Sequence, residues 1–307
     1  MKKIRIAFVD FWPGFDSHNN YFYYLLSTKY NVTIDYENPD LLFFSVDFAK
    51  RKERDRYSCP KIFFTGESAS PNFDQEGSVT VRTPSTSYSI GKSDLAFTFD
   101  ISDDPRNKRL PLWVIYLNWF GKNGYGNPSY LMNPNSLDDN RFIRAEKNKF
   151  CAIIYNNPIK MRKDVYKKLS EHKQVDGHGR PFNCHFDGEE RKHDILKDYR
   201  FSICYENNDY PGYHTEKLLH AKTCGNLPIY WGAETVKHDF HEEGFINALF
   251  FSEEELFDYV KFIDEQKSQS IYNKYISKPL FPDETMNKIN KDFLPDSVLK
   301  KIEELIF

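Results

Sequence analysis

The feature that most constrains this chain is the order of its segments. From residue 150 onward, short apolar runs alternate with charged stretches of helical length. Phe150–Tyr155 precedes Met161–Lys173, Phe201–Tyr205 precedes Glu216–Thr223, and Leu227–Trp231 precedes a helical stretch at Glu253–Gln266. Runs this short and apolar read as strands covered on both faces, and strands separated by helices build a parallel sheet. A charged helix near Glu189–Tyr199 fits the alternation, while Val175–Gly179 reads as a turn. The first half repeats the theme. Ile4–Val9, Val32–Tyr36, Leu41–Val46, Lys61–Thr65 and Asp94–Asp100 are strand candidates, and Tyr21–Tyr30 and Leu112–Phe120 are compatible with helices. Gly, Asn, Pro and Asp accumulate between Gly121 and Asn148, which predicts a boundary there. The expectation is an α/β protein of two lobes, residues 1–145 and 146–307. A single core stops growing at about 250–300 residues, so 307 is ample for two. The amphipathic end, Thr285–Phe307, reads as two short helices broken at Pro295, with the last free to pack back on the first lobe.

Composition narrows the classes of function. The formal charge of -3 gives no field that favours nucleic acid, so a nucleic-acid partner is not expected. The five cysteines are scattered and odd in number, without the paired spacing of a zinc site or a disulfide framework. The basic start, Met1–Ile6, runs directly into a strand-like segment, and no apolar run approaches ~18 residues, so a cytoplasmic protein without a membrane span is expected. The acidic pairs Asp103-Asp104 and Asp138-Asp139 and the nine histidines show no metal-ligand spacing, so no metal is expected.

The densest chemical signal is the stretch Phe201–Lys217. A strand delivers its carboxyl end into a loop rich in Asn, Asp, Pro and Gly, and Thr215 is placed to cap the helix that begins with Glu216 and Lys217. The start of a helix offers unpaired N–H groups and the positive end of a dipole, which suits a diphosphate, and Lys217 adds a full charge. A carboxylate there suits sugar hydroxyls better than phosphate, which assigns Glu216 to a sugar. Taken alone, Thr-Glu-Lys is an ordinary helix start with solvated charges.

The wider pattern is more specific. Glu206-Asn207, then Tyr213-x-Thr215-Glu216-Lys217, then Pro228-Ile229-Tyr230-Trp231-Gly232, resembles the signature of the α1,3/α1,4-fucosyltransferases of glycosyltransferase family 10, the bacterial lipopolysaccharide-type members in particular. Phe63-Phe64-Thr65-Gly66-Glu67-Ser68-x-x-Pro71-Asn72-Phe73 is similar to that family's acceptor-side motif, and Arg109-Leu110-Pro111-Leu112 to its Arg-x-Pro-Leu stretch. The resemblance implies the GT-B fold: two Rossmann-like lobes, the donor GDP-fucose held by the C-terminal lobe and the acceptor in the cleft. It implies an inverting transfer of fucose to a hydroxyl of an N-acetylglucosamine-containing oligosaccharide, in α1,3 linkage, of the lipopolysaccharide or Lewis-antigen kind. GDP-fucose is then a substrate, and no cofactor or divalent metal is required.

The resemblance also implies roles. Glu67 is the general base, although its local sequence reads equally as a surface loop. Arg162, in Arg-x-x-x-Tyr-x-x-Leu, and Lys217 bind the diphosphate; a solvated helix face competes for Arg162. Glu216 binds fucose hydroxyls, Asn207 and Tyr213 contact the donor, and Glu206 either braces the loop or contacts the donor. Val175-Asp176-Gly177-x-Gly179 either approaches the nucleotide or is simply a turn. Two rival readings stay open: a GT-B transferase for another nucleotide sugar, and a non-catalytic sugar-nucleotide-binding protein. No heptad repeats of the dimerising kind occur, and the mixed-charge segment Phe293–Phe307 leaves both peripheral membrane contact and oligomeric state open.

Overall fold

The computed structural model describes residues 1–46, 52–68, 70–71, 79–80, 92–121, 146–184, 191–265 and 269–306. Asn72 and Phe73, the pair Asp138-Asp139 and residues 122–145 around the expected boundary lie outside them. By its internal packing the chain divides into two units, each built on its own parallel sheet. The first comprises Met1–Pro128, Tyr210–Tyr213 and Asn287–Phe307; the second comprises Ser129–Asp209 and His214–Met286.

In the first unit, β1 (Lys2–Val9), α1 (Tyr21–Ser27), β2 (Tyr30–Ile34), β3 (Leu41–Phe44) and β4 (Lys61–Phe64) are followed by the two-residue strands β5 (Ser70–Pro71) and β6 (Val79–Thr80). Then come β7 (Leu95–Thr98), β8 (Asn107–Arg109) and the short helix α2 (Leu112–Ile115). The main sheet runs β2-β1-β3-β4-β7-β8, and every pairing in it is parallel. Leu41–Phe44 and Leu95–Thr98 are buried at every position, which is why these strands read as unbroken apolar runs rather than alternating ones. The Leu112–Phe120 segment expected to be helical is helical only over α2. Trp119 instead turns its indole N–H back to the carbonyl of Val114 at 2.9 Å.

The second unit contains β9 (Lys149–Ile154), α3 (Lys160–Ser170), β10 (Val175–His178), α4 (Arg191–Leu196), β11 (Tyr199–Tyr205), α5 (Lys217–Thr223), β12 (Leu227–Trp231), β13 (Ile246–Asn247), α6 (Glu253–Asp264) and α7 (Gln269–Ser277). Its sheet order is β10-β9-β11-β12-β13, again parallel throughout. The expected turn at Val175–Gly179 is in fact an edge strand: Val175–His178 pairs with Cys151–Ile154. A glycine and an aspartate hide that strand from any propensity reading, whereas the pairing with β9 satisfies its backbone. Tyr199 secures the edge by donating its hydroxyl to Asp176 at 2.6 Å.

The chain ends with α8 (Asp283–Ile289) and α9 (Pro295–Ile306), with Pro295 opening α9 where a helix tolerates a missing N–H. Within the first unit, Trp113 meets Phe293 edge-on at 5.5 Å. Glu303 on α9 accepts from the Lys29 ammonium at 2.7 Å and from the Tyr30 hydroxyl.

Sheet order locates the sites. In the second unit the chain leaves β9 toward β10 on one side and returns to β11 on the other, so the order reverses between β9 and β11. In the first unit the reversal falls between β1 and β3. Open parallel sheets bind ligands outside the carboxyl ends of the strands at such reversals.

Candidate functional site

At the carboxyl end of β11 the chain enters the loop Glu206–Glu216, which is held by a network centred on Glu206. That side chain is 1% exposed and carries four contacts. One oxygen accepts from the Thr215 N–H at 2.9 Å and the Thr215 hydroxyl at 2.8 Å; the other lies 2.9 Å from the same hydroxyl and 2.8 Å from the Lys217 ammonium. The Glu206 N–H donates to the Trp231 carbonyl at 2.8 Å, continuing the β11–β12 ladder. Gly232 is required beside it, because a Cβ there would lie 2.9 Å from Glu206 Cγ and closer still to the Tyr230 hydroxyl. Of the two roles open for Glu206, these contacts are those of a brace.

The same network corrects the expected cap. Thr215 does not cap α5. Glu216 occupies the N-cap position with no side-chain bond, and the Thr215 hydroxyl turns to the Glu206 carboxylate. A buried carboxylate needs charge-assisted partners more than a helix start needs a hydroxyl cap. Lys217 then sits with its ammonium between Glu206 and the Thr215 hydroxyl, at 2.8 and 2.9 Å.

Glu216 is also buried, at 6% exposure. Its partner is Lys192 on α4, whose ammonium lies 3.0 Å from Oε1. Burial by itself would raise the Glu216 carboxyl. The charges of Lys192 and Lys217 outweigh burial and hold it well below the usual carboxylate range. His220, wholly enclosed, is pushed by burial well below the ordinary imidazole value and is neutral. Lys192 went unread in the sequence because it lies in one of many charged surface-like stretches, and its partner is 24 residues away.

Arg162, expected on the diphosphate, is 3% exposed. Its guanidinium donates to the Tyr205 carbonyl from Nε at 3.0 Å and Nη2 at 2.5 Å, and to the Asn157 carbonyl from Nη1 at 2.9 Å. It thus ties the start of α3 to the last residue of β11, on the two sides of the reversal. A guanidinium facing carbonyls at a strand end still brings its charge to that edge, but three of its N–H directions serve the fold.

Tyr210–Tyr213, in the middle of the motif, belongs to the first unit. Tyr213, expected on the donor, is 2% exposed, and its ring meets Phe99 at 5.2 Å. Gly212 has φ +84°, and a Cβ there would fall onto the Phe99 carbonyl oxygen. Arg109, from the Arg-x-Pro-Leu block, donates to that same carbonyl at 3.2 Å and to the Gly212 carbonyl at 3.4 Å. Two sequence blocks about a hundred residues apart are therefore one structural clamp. His214 next to them is pinned to the Glu234–His238 turn: its ring lies 2.6 Å from Asp239 and 3.0 Å from the Thr235 hydroxyl. Asn207 is half-buried in the loop.

Glu67 follows β4 in the first unit. Its N–H donates to the Thr65 hydroxyl at 3.0 Å, a local turn that presents the side chain exposed at the carboxyl end of the strand. Among the described residues no group of three or more His, Cys, Asp or Glu could hold a metal ion. Asp104 is engaged with Arg106 at 2.9 Å. No helix among the described residues is long and apolar enough to cross a membrane.

Two family models cover most of the chain: the α-(1,3)-fucosyltransferase FucT N-terminal domain over residues 6–116, and the glycosyltransferase family 10 (fucosyltransferase) C-terminal domain over residues 144–279. The chain belongs to glycosyltransferase family 10. The α-(1,3)-fucosyltransferase FucT of Helicobacter pylori is 26% identical over 294 residues, which is 86% of this chain and 58% of that protein. The chain thus spans less than two thirds of this family 10 relative. In fold it matches the crystal structure of an α1,3-fucosyltransferase with a TM-score of 0.69 at 22% identity, over 99% of this chain and 90% of that one. The structure of that enzyme with GDP-fucose matches over the same spans, at the same identity, with a TM-score of 0.65. The family 10 chain therefore has the GT-B fold.

Proposed function

We propose that this family 10 chain transfers fucose from GDP-fucose to a hydroxyl of an N-acetylglucosamine-containing glycan, with inversion and in α1,3 linkage. The observation that carries the reading is the network at the carboxyl end of β11. There Lys217 and Arg162 bring cations, and Glu216 a carboxylate held ionised, to the edge where a parallel sheet takes its ligand. The donor and linkage follow the relatives, which are named as α1,3-fucosyltransferases, one of them solved with GDP-fucose.

In this reading Glu67 takes the proton of the acceptor hydroxyl as its oxygen attacks the anomeric carbon. The bond from that carbon to the β-phosphate oxygen breaks, and GDP departs with the electron pair. Lys217 stabilises the charge growing on the diphosphate, and Arg162 adds to the positive field from behind the Tyr205 carbonyl. Glu216 accepts from fucose hydroxyls, and Asn207 lines the donor path. Tyr213 acts by packing, holding the loop through Phe99. No residue of the proposed chemistry needs a metal ion. Acceptors of the lipopolysaccharide or Lewis-antigen kind, a cytoplasmic location and peripheral membrane contact belong to the same proposal.

The test is GDP release from GDP-fucose with N-acetyllactosamine and related disaccharides, with and without EDTA. Acceptor-dependent release that survives EDTA is expected. Turnover of another nucleotide sugar in preference to GDP-fucose overturns the donor assignment, and donor binding without release to any acceptor overturns the acceptor class.

A further inference from the structure

We infer that Lys192 is a positioning residue for the donor sugar: it fixes the direction and the negative charge of the Glu216 carboxylate, and so governs the affinity for the sugar rather than for GDP. This rests on the donor reading of the β11–α5 edge.

The geometry is that of a supported pair. Lys192 Nζ lies 3.0 Å from Glu216 Oε1, and both side chains are mostly enclosed, at 14% and 8% exposure. The element carrying Lys192 is held against the element carrying Glu216 by the contacts of its neighbours. His193, the next residue on α4, meets His220 edge-on at 5.2 Å and lies 3.3 Å from the Thr223 hydroxyl. Asn226, just past α5, donates its amide to the carbonyls of Leu196, at 2.8 Å, and of Tyr199. A long flexible lysine is a poor positioning device on an open surface, but here its helix is locked and its head is confined.

The charged groups around Glu216 divide the labour. Lys217, on the same helix, is committed to Glu206 at 2.8 Å. His220, from one turn below, is neutral because it is buried, and its neighbour His193 faces Thr223. Cys204, behind on β11, is buried, and its thiol is pushed up to about 12, so it brings no charge. Glu206 adds a like charge, offset by Lys217. Lys192 is therefore the cation in contact with Glu216, at 3.0 Å, and the largest of the attractions that outweigh the burial of that carboxylate. Without it, burial raises Glu216 toward the neutral acid. A neutral carboxyl gains an O–H donor and loses acceptor strength toward sugar hydroxyls, whereas the diphosphate, held elsewhere, is untouched.

The experiment compares Lys192→Met, Lys192→Arg and the unaltered chain by calorimetric titration with GDP and with GDP-fucose, from pH 5 to 8. Removing a charge-assisted contact predicts about tenfold or more weaker GDP-fucose binding by Lys192→Met at neutral pH. GDP affinity should stay within about twofold, because the contact serves the sugar. The loss should deepen as pH falls, with an acid limb that the unaltered chain shows only at lower pH, and Lys192→Arg should restore most of both. Equal losses for GDP and GDP-fucose overturn the inference, since that is what a general disruption of α4 gives. So does a Lys192→Met chain that binds both as before. If the unaltered chain binds neither, the donor reading fails, which is a separate result.

Discussion

Glu206→Gln changes one atom at the centre of the loop network, and the structure fixes what it should cost. The glutamine keeps one oxygen for the Thr215 N–H at 2.9 Å. It replaces the other with an NH2 that points at the Lys217 ammonium, where the carboxylate now sits at 2.8 Å, so two donors face each other. One charge-assisted bond inside a buried site is lost, and a partly enclosed cation, 21% exposed, is deprived of its counter-charge. Loss of such a bond, with the desolvation of the partner left behind, is about 2–3 kcal/mol. The loss should appear in urea denaturation as a lower midpoint with an unchanged slope for the transition of the second unit. GDP binding, measured in native buffer, should weaken about tenfold, because the anchor that aims Lys217 is gone. Stability within about 0.5 kcal/mol of the unaltered chain would refute the brace. Unchanged stability with tighter GDP binding would mean that Glu206 merely competes with phosphate for Lys217.

Three further outcomes follow from the geometry. Glu67→Gln should lower kcat for fucose transfer by about 10²–10⁴-fold while leaving GDP-fucose affinity within twofold, and an equal loss in binding would remove Glu67 from the base role. Gly212→Ala places a Cβ on the Phe99 carbonyl at φ +84° and should destabilise the first unit by about 2 kcal/mol or more in urea; a neutral result would refute the clamp with Arg109. Lys222, whose ammonium caps the last turn of α7 through the carbonyls of Tyr275 and Ile276, is lowered by burial to about 8. Its unfolded value is near 10.4, so between these values the unfolded chain binds more protons and stability rises with pH. That increment, about 3 kcal/mol, should be missing from Lys222→Met when the two denaturation series are subtracted, and its persistence would show that another group titrates.

The sequence by itself determined the class of fold and the position of the polar loop that carries the candidate site. Alternation of apolar runs with charged helical stretches is a local property, and it located the strands at Leu41–Phe44, Lys61–Phe64 and Leu227–Trp231 to within a residue or two. The Glu206-Asn207 and Tyr-x-Thr-Glu-Lys blocks placed the polar loop where a strand meets a helix. What the alternation could not reach was partner choice. Glu206 and Glu216 have the same side chain, yet one braces Thr215 and Lys217 while the other turns to Lys192 on a different helix. Arg162 reads as a phosphate ligand but spends its N–H groups on Tyr205 and Asn157. Tyr213, in the middle of a donor motif, packs on Phe99, and Arg109 reaches the Gly212 carbonyl across 103 residues of chain. Val175–His178 becomes a strand only because β9 supplies the edge it pairs with. Periodicity and propensity act over a few residues, whereas ion pairs, buried acceptors and sheet edges are settled by which distant atoms packing brings within about 3 Å. The tertiary structure alone decided these.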